Sequence, residues 1–148
     1  MSQSLANMLI HAVWTTKDRR PLISDDARAG LHGYLAGILK GVDSPALIIN
    51  SVADHVHILC RLSKNIAASK LVEVVKKQTS KWMKQQGVPI FAWQNGYGVF
   101  SVSQSNVDAV RKYIERQAER HQKYDFKREF RALCLRHQVP IDERYAWD

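Results

Sequence analysis

Hydrophobic periodicity along the chain switches between the short runs of buried strands and the three- and four-residue steps of amphipathic helices, in an order that few folds accommodate. Residues 8–16, MLIHAVWTT, are rich in apolar and β-favouring types and stop at the charged turn Lys17-Asp18-Arg19-Arg20-Pro21, as a buried strand followed by a loop does. Ser24 suits a helix N-cap, with Asp25 and Asp26 in the first turn and Ala27, Leu31, Tyr34, Leu35, Ile38 and Leu39 along one face. Gly30, Gly33 and Gly37 weaken that helix. Residues 47–51 and 56–62 are strand-like runs joined closely enough for a hairpin. Residues 65–86 read as a long amphipathic helix with Leu71, Val75 and Trp82 on one side and a stripe of Lys70, Lys77, Lys81 and Lys84 on another. Gly87 and Pro89 stop it, and residues 90–102 read as one or two strands around the turn-prone Asn95-Gly96. Ser105, with Asp108 three residues on, suits the cap of a helix whose buried stripe is Val107, Val110, Ile114 and Ala118. A last helix, from 126 to about 137, turns Phe126, Phe130, Leu133 and Cys134 inward.

The order strand, helix, strand, strand, helix, strand, helix predicts an α+β fold. It is that of a ferredoxin-like split βαβ arrangement, with helices on one face of an antiparallel sheet and a C-terminal helix added. On this expectation the second sheet face is open to a ligand. A chain of 148 residues is expected to form a single domain over 1–148.

Charge then narrows the function. Lys and Arg number 22 against 14 Asp and Glu, a net +8 with a pI near 9.7, which points to an anionic partner, nucleic acid ahead of an acidic membrane surface. A hydrophobic share of 45% with 7 Gly and 4 Pro supports an ordinary core and excludes a disordered basic tail, collagen or a low-complexity scaffold. No run approaches the roughly 20 apolar residues of a membrane span. The first residues lack a basic start and His11 interrupts their apolar stretch, so no secretory signal and a cytoplasmic location are expected. Cys60 and Cys134, far apart and without a CxxC pair, read as buried reduced thiols.

Two constellations carry chemistry. Side chains two apart on a strand share a face, so His55-Val56-His57 sends both imidazoles one way and Val56 the other. The result is a two-nitrogen metal platform or a pair of histidines on a solvated strand. Tyr113 and Gln117, four apart on a helix, flank its apolar stripe and can reach the sheet edge; a tyrosine at such a boundary also suits packing with a hydrogen-bonded hydroxyl. His11 could approach the site from the first strand, but it, His32, His121 and His137 suit ordinary core or surface positions, and Glu73, Glu115 and Glu119 read as helix-surface charges.

Together with the basic balance, DHVHIL at 54–59 and YIERQ at 113–117 resemble the histidine–hydrophobe–histidine strand and the nucleophile helix of the single-tyrosine transposases. These belong to the HUH endonuclease superfamily, in its bacterial insertion-sequence and REP-associated types. HAVWTTKDRRP, WQNGYGVFSVS, RKYIERQAERHQ and REFRALCLRHQVPIDERYAWD are similar to family features, in family order, over nearly the whole chain; the C-terminal extension receives no role from the resemblance. The resemblance implies that His55, His57 and Gln117 bind one Mg²⁺ or Mn²⁺. These are neutral ligands that leave the ion's charge available to a non-bridging oxygen of the scissile phosphate. It implies that Tyr113 attacks that phosphate, forming a 5′-phosphotyrosine and releasing a 3′-hydroxyl, so that strands are later rejoined without ATP. The lack of a GxxxxGK[ST] loop agrees with a reaction that needs no nucleotide cofactor. A phenol of pKa about 10 must lose its proton during attack, and the sequence names no base.

The implied partner is single-stranded or hairpin DNA. Lys17, Arg19 and Arg20 of the first loop and Lys70, Lys77, Lys81 and Lys84 are candidate backbone contacts, and Trp93 and Tyr97 either stack on bases or fill the core. No membrane partner is expected. The family resemblance also implies a homodimer, with the cis or trans placement of Tyr113 open. The competing reading is a noncatalytic single-stranded nucleic-acid-binding module on the same scaffold. A zinc hydrolase built on the HxH pair lacks a third ligand at a familiar spacing.

Overall fold

In the computed structural model, which describes residues 2–121 and 125–148, the apolar runs form strands β1 (Met8–Thr15), β2 (Ala46–Ser51), β3 (His55–Leu62) and β4 (Gly98–Val102). Gln122, the last residue of the RKYIERQAERHQ segment, lies outside the described residues. The stepped runs form helices α1 (Asp25–Gly41), α2 (Ala68–Gln85), α3 (Val107–Glu115), α4 (Gln117–Arg120) and α5 (Phe126–Arg136). The sheet order is β2-β3-β1-β4, with every neighbouring pair antiparallel, which is the split βαβ topology expected. The two most apolar runs, β1 and β3, take the central positions, where both faces of a strand are covered.

Alternation along these strands sorts their side chains into two cores. Ile10, Ala12, Trp14, Val56, Ile58 and Cys60 face α1 and α2. Leu9, Leu59 and Val102 face Val107 and Ile114 of α3, while Val13 and Phe100 face Phe126, Leu133 and Cys134 of α5. The second face of the sheet is therefore covered, not open as the element order suggested. Both surfaces are apolar, and each fully buried Leu, Val or Phe contributes about 1.5–3 kcal/mol, so closing α3 and α5 over the sheet outweighs leaving either stripe wet. Cys60 and Cys134 are buried free thiols, as expected. Among the described residues no helix is long and apolar enough to cross a membrane.

Ser24 caps α1 by accepting from the Ala27 N–H at 3.2 Å. Elsewhere local expectation yields to tertiary contacts. Residues 90–102 give only β4 and a lone bridge between Thr16 and Trp93. The Asn95 and Gly96 N–H groups donate to the Asp148 carbonyl at 2.7 and 3.3 Å instead of closing a hairpin. Lys76 Nζ donates to the carbonyls of Gln94, Asn95 and Gly96 at 2.8, 3.2 and 2.6 Å, using all three ammonium donors to hold this loop. Ser105 caps nothing: it lies in a short 3₁₀ turn, with its hydroxyl 3.1 Å from that of Ser103, and Asn106 takes the N-cap position of α3. The helix then breaks at Arg116 (φ −95°, ψ 18°), which leaves Ala118 exposed and turns Gln117 inward.

The join between β4 and α5 depends on the absence of a side chain. A Cβ on Gly98 would stand 2.6 Å from Phe130 Cε1 and 3.0 Å from Phe100 Cε2. Gly98→Ala is expected to cost about 1–3 kcal/mol by overpacking, read as a lower urea midpoint with an unchanged slope. An unaltered midpoint would show that α5 gives way without cost.

Candidate active site

The pleat of β3 places His55 and His57 on the face that α3, α4 and α5 cover, and both are fully buried. The break at Arg116 puts Gln117 at the start of α4, with its Oε1 3.2 Å from His55 Nε2. Tyr113, on the last turn of α3, has its ring centroid 5.7 Å from that of His57. Among the described residues its buried hydroxyl has no close hydrogen-bond partner, with Glu129 and Gln117 near enough to act on its ionisation. The four residues named from the sequence for chemistry thus come together within a single chain.

At their centre stands a residue that sequence reading passed over. Glu129 of α5 is 3% exposed. Its Oε1 lies 3.0 Å from His57 Nε2, 3.5 Å from His55 Nε2 and 3.3 Å from His121 Nε2, and its Oε2 accepts from Gln117 Nε2 at 3.1 Å. The surroundings are therefore not the all-neutral set anticipated, because a carboxylate from the C-terminal extension enters them. A signal existed: Glu129 falls on the inward stripe of Phe126, Phe130 and Leu133, and a lone carboxylate on an apolar stripe needs a partner. His121, one turn beyond Gln117, was set aside as an ordinary histidine, yet its Nε2 is 3.0 Å from Gln117 Oε1.

Outer contacts fix the imidazoles. His55 Nδ1 meets Asp54 Oδ1 at 2.7 Å, and His57 Nδ1 meets His11 Nε2 at the same distance, leaving both Nε2 atoms for the centre. Burial alone would lower the His55 pKa, but hydrogen bonds that it donates to Asp54 and Glu129, with their charges, prevail and raise it to about 9. Complete burial takes His57 the other way, to about 4, against the pull of Glu129. Burial opposes ionisation of Glu129, yet hydrogen bonds from His121, His55 and His57 hold it well below the usual carboxylate range. Burial and then the Glu129 charge push the Tyr113 phenol well above its ordinary value.

These shifts predict a pH optimum for stability of the metal-free fold. His55 contributes fully below its unfolded pKa of 6.5, and the contribution is lost as pH rises towards 9. His57, lowered to about 4, makes stability rise with pH from there to 6.5. Melting in EDTA should therefore peak near pH 6.5 and lose up to about 3 kcal/mol by pH 9. A melting temperature that climbs over that upper interval would contradict the His55–Glu129 pairing.

Imidazole nitrogens, an amide oxygen and a carboxylate form a donor set that suits a divalent cation. Among the described residues, ligand atoms of His55, His121 and Glu129 all lie within 4.8 Å of one another. Two cavities adjoin the site. One of about 320 Å³ is lined by Arg120, Arg128, Glu129 and Ala132; another of about 260 Å³ is lined by His11, Asn106, Tyr113, Arg136 and His137 among others. The Arg120 guanidinium lies 4.7 Å above the Tyr113 ring.

Of the positive charges named from the sequence, the first loop is tied through Thr16 to the Asp54 carbonyl, next to His55, and the α2 stripe lies on the other sheet face. Lys17 and Arg20 are exposed and Arg19 half-buried in the first loop. Lys70, Lys77, Lys81 and Lys84 are exposed on α2, which packs on the sheet face opposite the imidazoles. Arg120, Arg128 and Arg136 line the cavities instead, and sequence reading did not single them out. Trp93 belongs to the core, edge-on to Trp14 with ring centroids 5.9 Å apart, and donates to Thr79 Oγ1 at 2.9 Å. Tyr97 is 41% exposed beside Lys76.

A split βαβ sheet whose paired histidines face a tyrosine-bearing helix defines an HUH-type scaffold. Residues 4–117 match the model of the family described as "Transposase IS200 like", and the chain belongs to that family of single-tyrosine transposases. It is 23% identical over 117 residues to the ISDra2 transposase TnpA of Deinococcus radiodurans, covering 74% of this chain and 84% of that protein. A solved structure assigned as a transposase from D. radiodurans R1 superposes with a TM-score of 0.61 at 23% identity, over 79% of this chain and 98% of the other. A REP-associated tyrosine transposase bound to a REP hairpin gives 0.59 at 15% identity, over 82% of this chain and 74% of the other. At these identities the superpositions establish the fold. The family match ends at Gln117, so His121 and Glu129 lie beyond it.

Proposed function

We propose that this transposase cleaves and rejoins single-stranded, hairpin-containing DNA by metal-dependent transesterification, with Tyr113 as nucleophile and His55, His57 and Gln117 as cation ligands. The observation that carries the reading is the Tyr113 ring, its centroid 5.7 Å from that of His57 in the same chain, with Gln117 and Glu129 beside its hydroxyl.

In the reaction, the Tyr113 oxygen forms a bond to phosphorus as the bond to the 3′-oxygen breaks; the phenol gives up its proton as it attacks, and the departing oxygen takes one up. Without a cation, burial and Glu129 disfavour the phenolate. When bound, Mg²⁺ or Mn²⁺ supplies positive charge to a non-bridging phosphate oxygen and offsets the negative charge of Glu129 near the phenol. Asp54 and His11 keep the Nε2 atoms of His55 and His57 aimed at the centre. Arg120, Arg128 and Arg136 give the adjoining cavities positive walls suited to the DNA backbone. Lys17, Arg19 and Arg20, and the α2 stripe of Lys70, Lys77, Lys81 and Lys84, serve DNA that extends past the site. The complex of the REP-associated relative with a REP hairpin supports hairpin DNA as the ligand class.

A noncatalytic module that stacks bases on an open sheet needs a bare face, and α3 and α5 cover it. A homodimer accords with the family resemblance and is read by sedimentation. Tyr113 and Gln117 reach the histidines within one chain, so we propose action in cis. The test is incubation with end-labelled single-stranded hairpin DNA and Mg²⁺ or Mn²⁺. A denaturation-resistant protein–DNA adduct is expected; binding without nicking in either metal would sink the reading.

A further inference from the structure

We propose that Glu129 is itself a ligand of the cation, so that α5, outside the segment that matches the family, completes the metal site with a carboxylate. The inference rests on the reading of His55 and His57 as cation ligands.

Spacing is the first argument. Donors each about 2.1 Å from one cation lie about 3.0–3.4 Å apart in octahedral or tetrahedral arrangement. Glu129 Oε1 stands 3.0 and 3.3 Å from the Nε2 atoms of His57 and His121, within that range, and 3.5 Å from that of His55, just beyond it. Orientation is the second. Glu129 Oε2 accepts from Gln117 Nε2 at 3.1 Å and has Arg120 Nε at 3.6 Å, which leaves Oε1 facing the imidazoles. The same bond turns the Gln117 amide so that its oxygen, the atom able to ligate, faces His55 at 3.2 Å and His121 at 3.0 Å. Glu129 is thus both a donor and the group that aims a second donor.

Placement is the third. Phe126, Leu133 and Cys134 lock α5 onto Val13 and Phe100, and Asp125 caps it by accepting from the Arg128 N–H at 2.9 Å. A helix docked through its apolar face delivers the carboxylate, although an apolar residue at that position would pack without any need for a partner. Two imidazoles with one carboxylate make a harder and more anionic donor set than imidazoles and amide alone, one that binds Mn²⁺ before DNA arrives.

The test is Mn²⁺ binding to the full chain without DNA, followed through the electron paramagnetic resonance of free Mn²⁺. Glu129→Gln, which keeps the size and loses the charge, is expected to weaken binding at least tenfold, with each variant's folding checked by its melting in EDTA. Binding by Glu129→Gln as tight as the parent's or tighter, while His57→Ala weakens it, would overturn the carboxylate ligand and leave the histidine reading standing. No Mn²⁺ binding by the parent chain would remove both. A second measurement needs no variant: in the parent chain grown with carboxylate-¹³C glutamate, electron–nuclear double resonance should show a ¹³C coupling to bound Mn²⁺. A bound Mn²⁺ without that coupling would overturn the proposal.

Discussion

Tyr113→Phe is expected to abolish the covalent DNA adduct and to lower strand cleavage by more than about 10⁴-fold, about 5.5 kcal/mol of transition-state stabilisation, while hairpin binding stays within about threefold. Melting of the Phe variant should stay close to the parent's, which separates lost chemistry from lost fold. Persistence of the adduct in the Phe variant would assign the nucleophile elsewhere.

His57→Ala carries the second large effect. Cleavage should fall by at least about 10³-fold and excess Mn²⁺ should not restore it, because the imidazole that meets Glu129 Oε1 at 3.0 Å is gone. Here stability should fall as well, by about 2–4 kcal/mol. His57 is fully buried on a central strand, so the change opens a void and leaves His11 Nε2 and Glu129 Oε1 each short of a partner. Gel cleavage at increasing Mn²⁺, beside urea unfolding, separates the two losses; recovery of cleavage at high Mn²⁺ would show that His57 is dispensable for chemistry.

What could be read in advance was local in origin. The two-residue period of His55-Val56-His57 fixed a shared face before any fold was known, and it holds in β3. The four-residue step from Tyr113 to Gln117 brought both towards the sheet, although the break at Arg116, invisible to a periodic reading, is what turns Gln117 inward. The closed second face was missed because the open-faced expectation counted strands and helices without asking where the apolar stripe of α5 would go. Glu129 was missed for the related reason that its partners lie 72 and 74 positions back, on β3. Asn95-Gly96 looked like a hairpin turn by composition, but its N–H groups were claimed by Asp148, a contact no local rule anticipates.

The helix that roofs the site has one further consequence. Phe126, Leu133 and Cys134 hold α5 to the sheet through a small cluster of its own, separate from the larger core beneath α1 and α2. Heat that peels this helix away would bare the imidazoles while the rest of the molecule stays folded. The protein should fall silent some degrees before it melts, and regain its competence on cooling as long as the deeper layer never came apart.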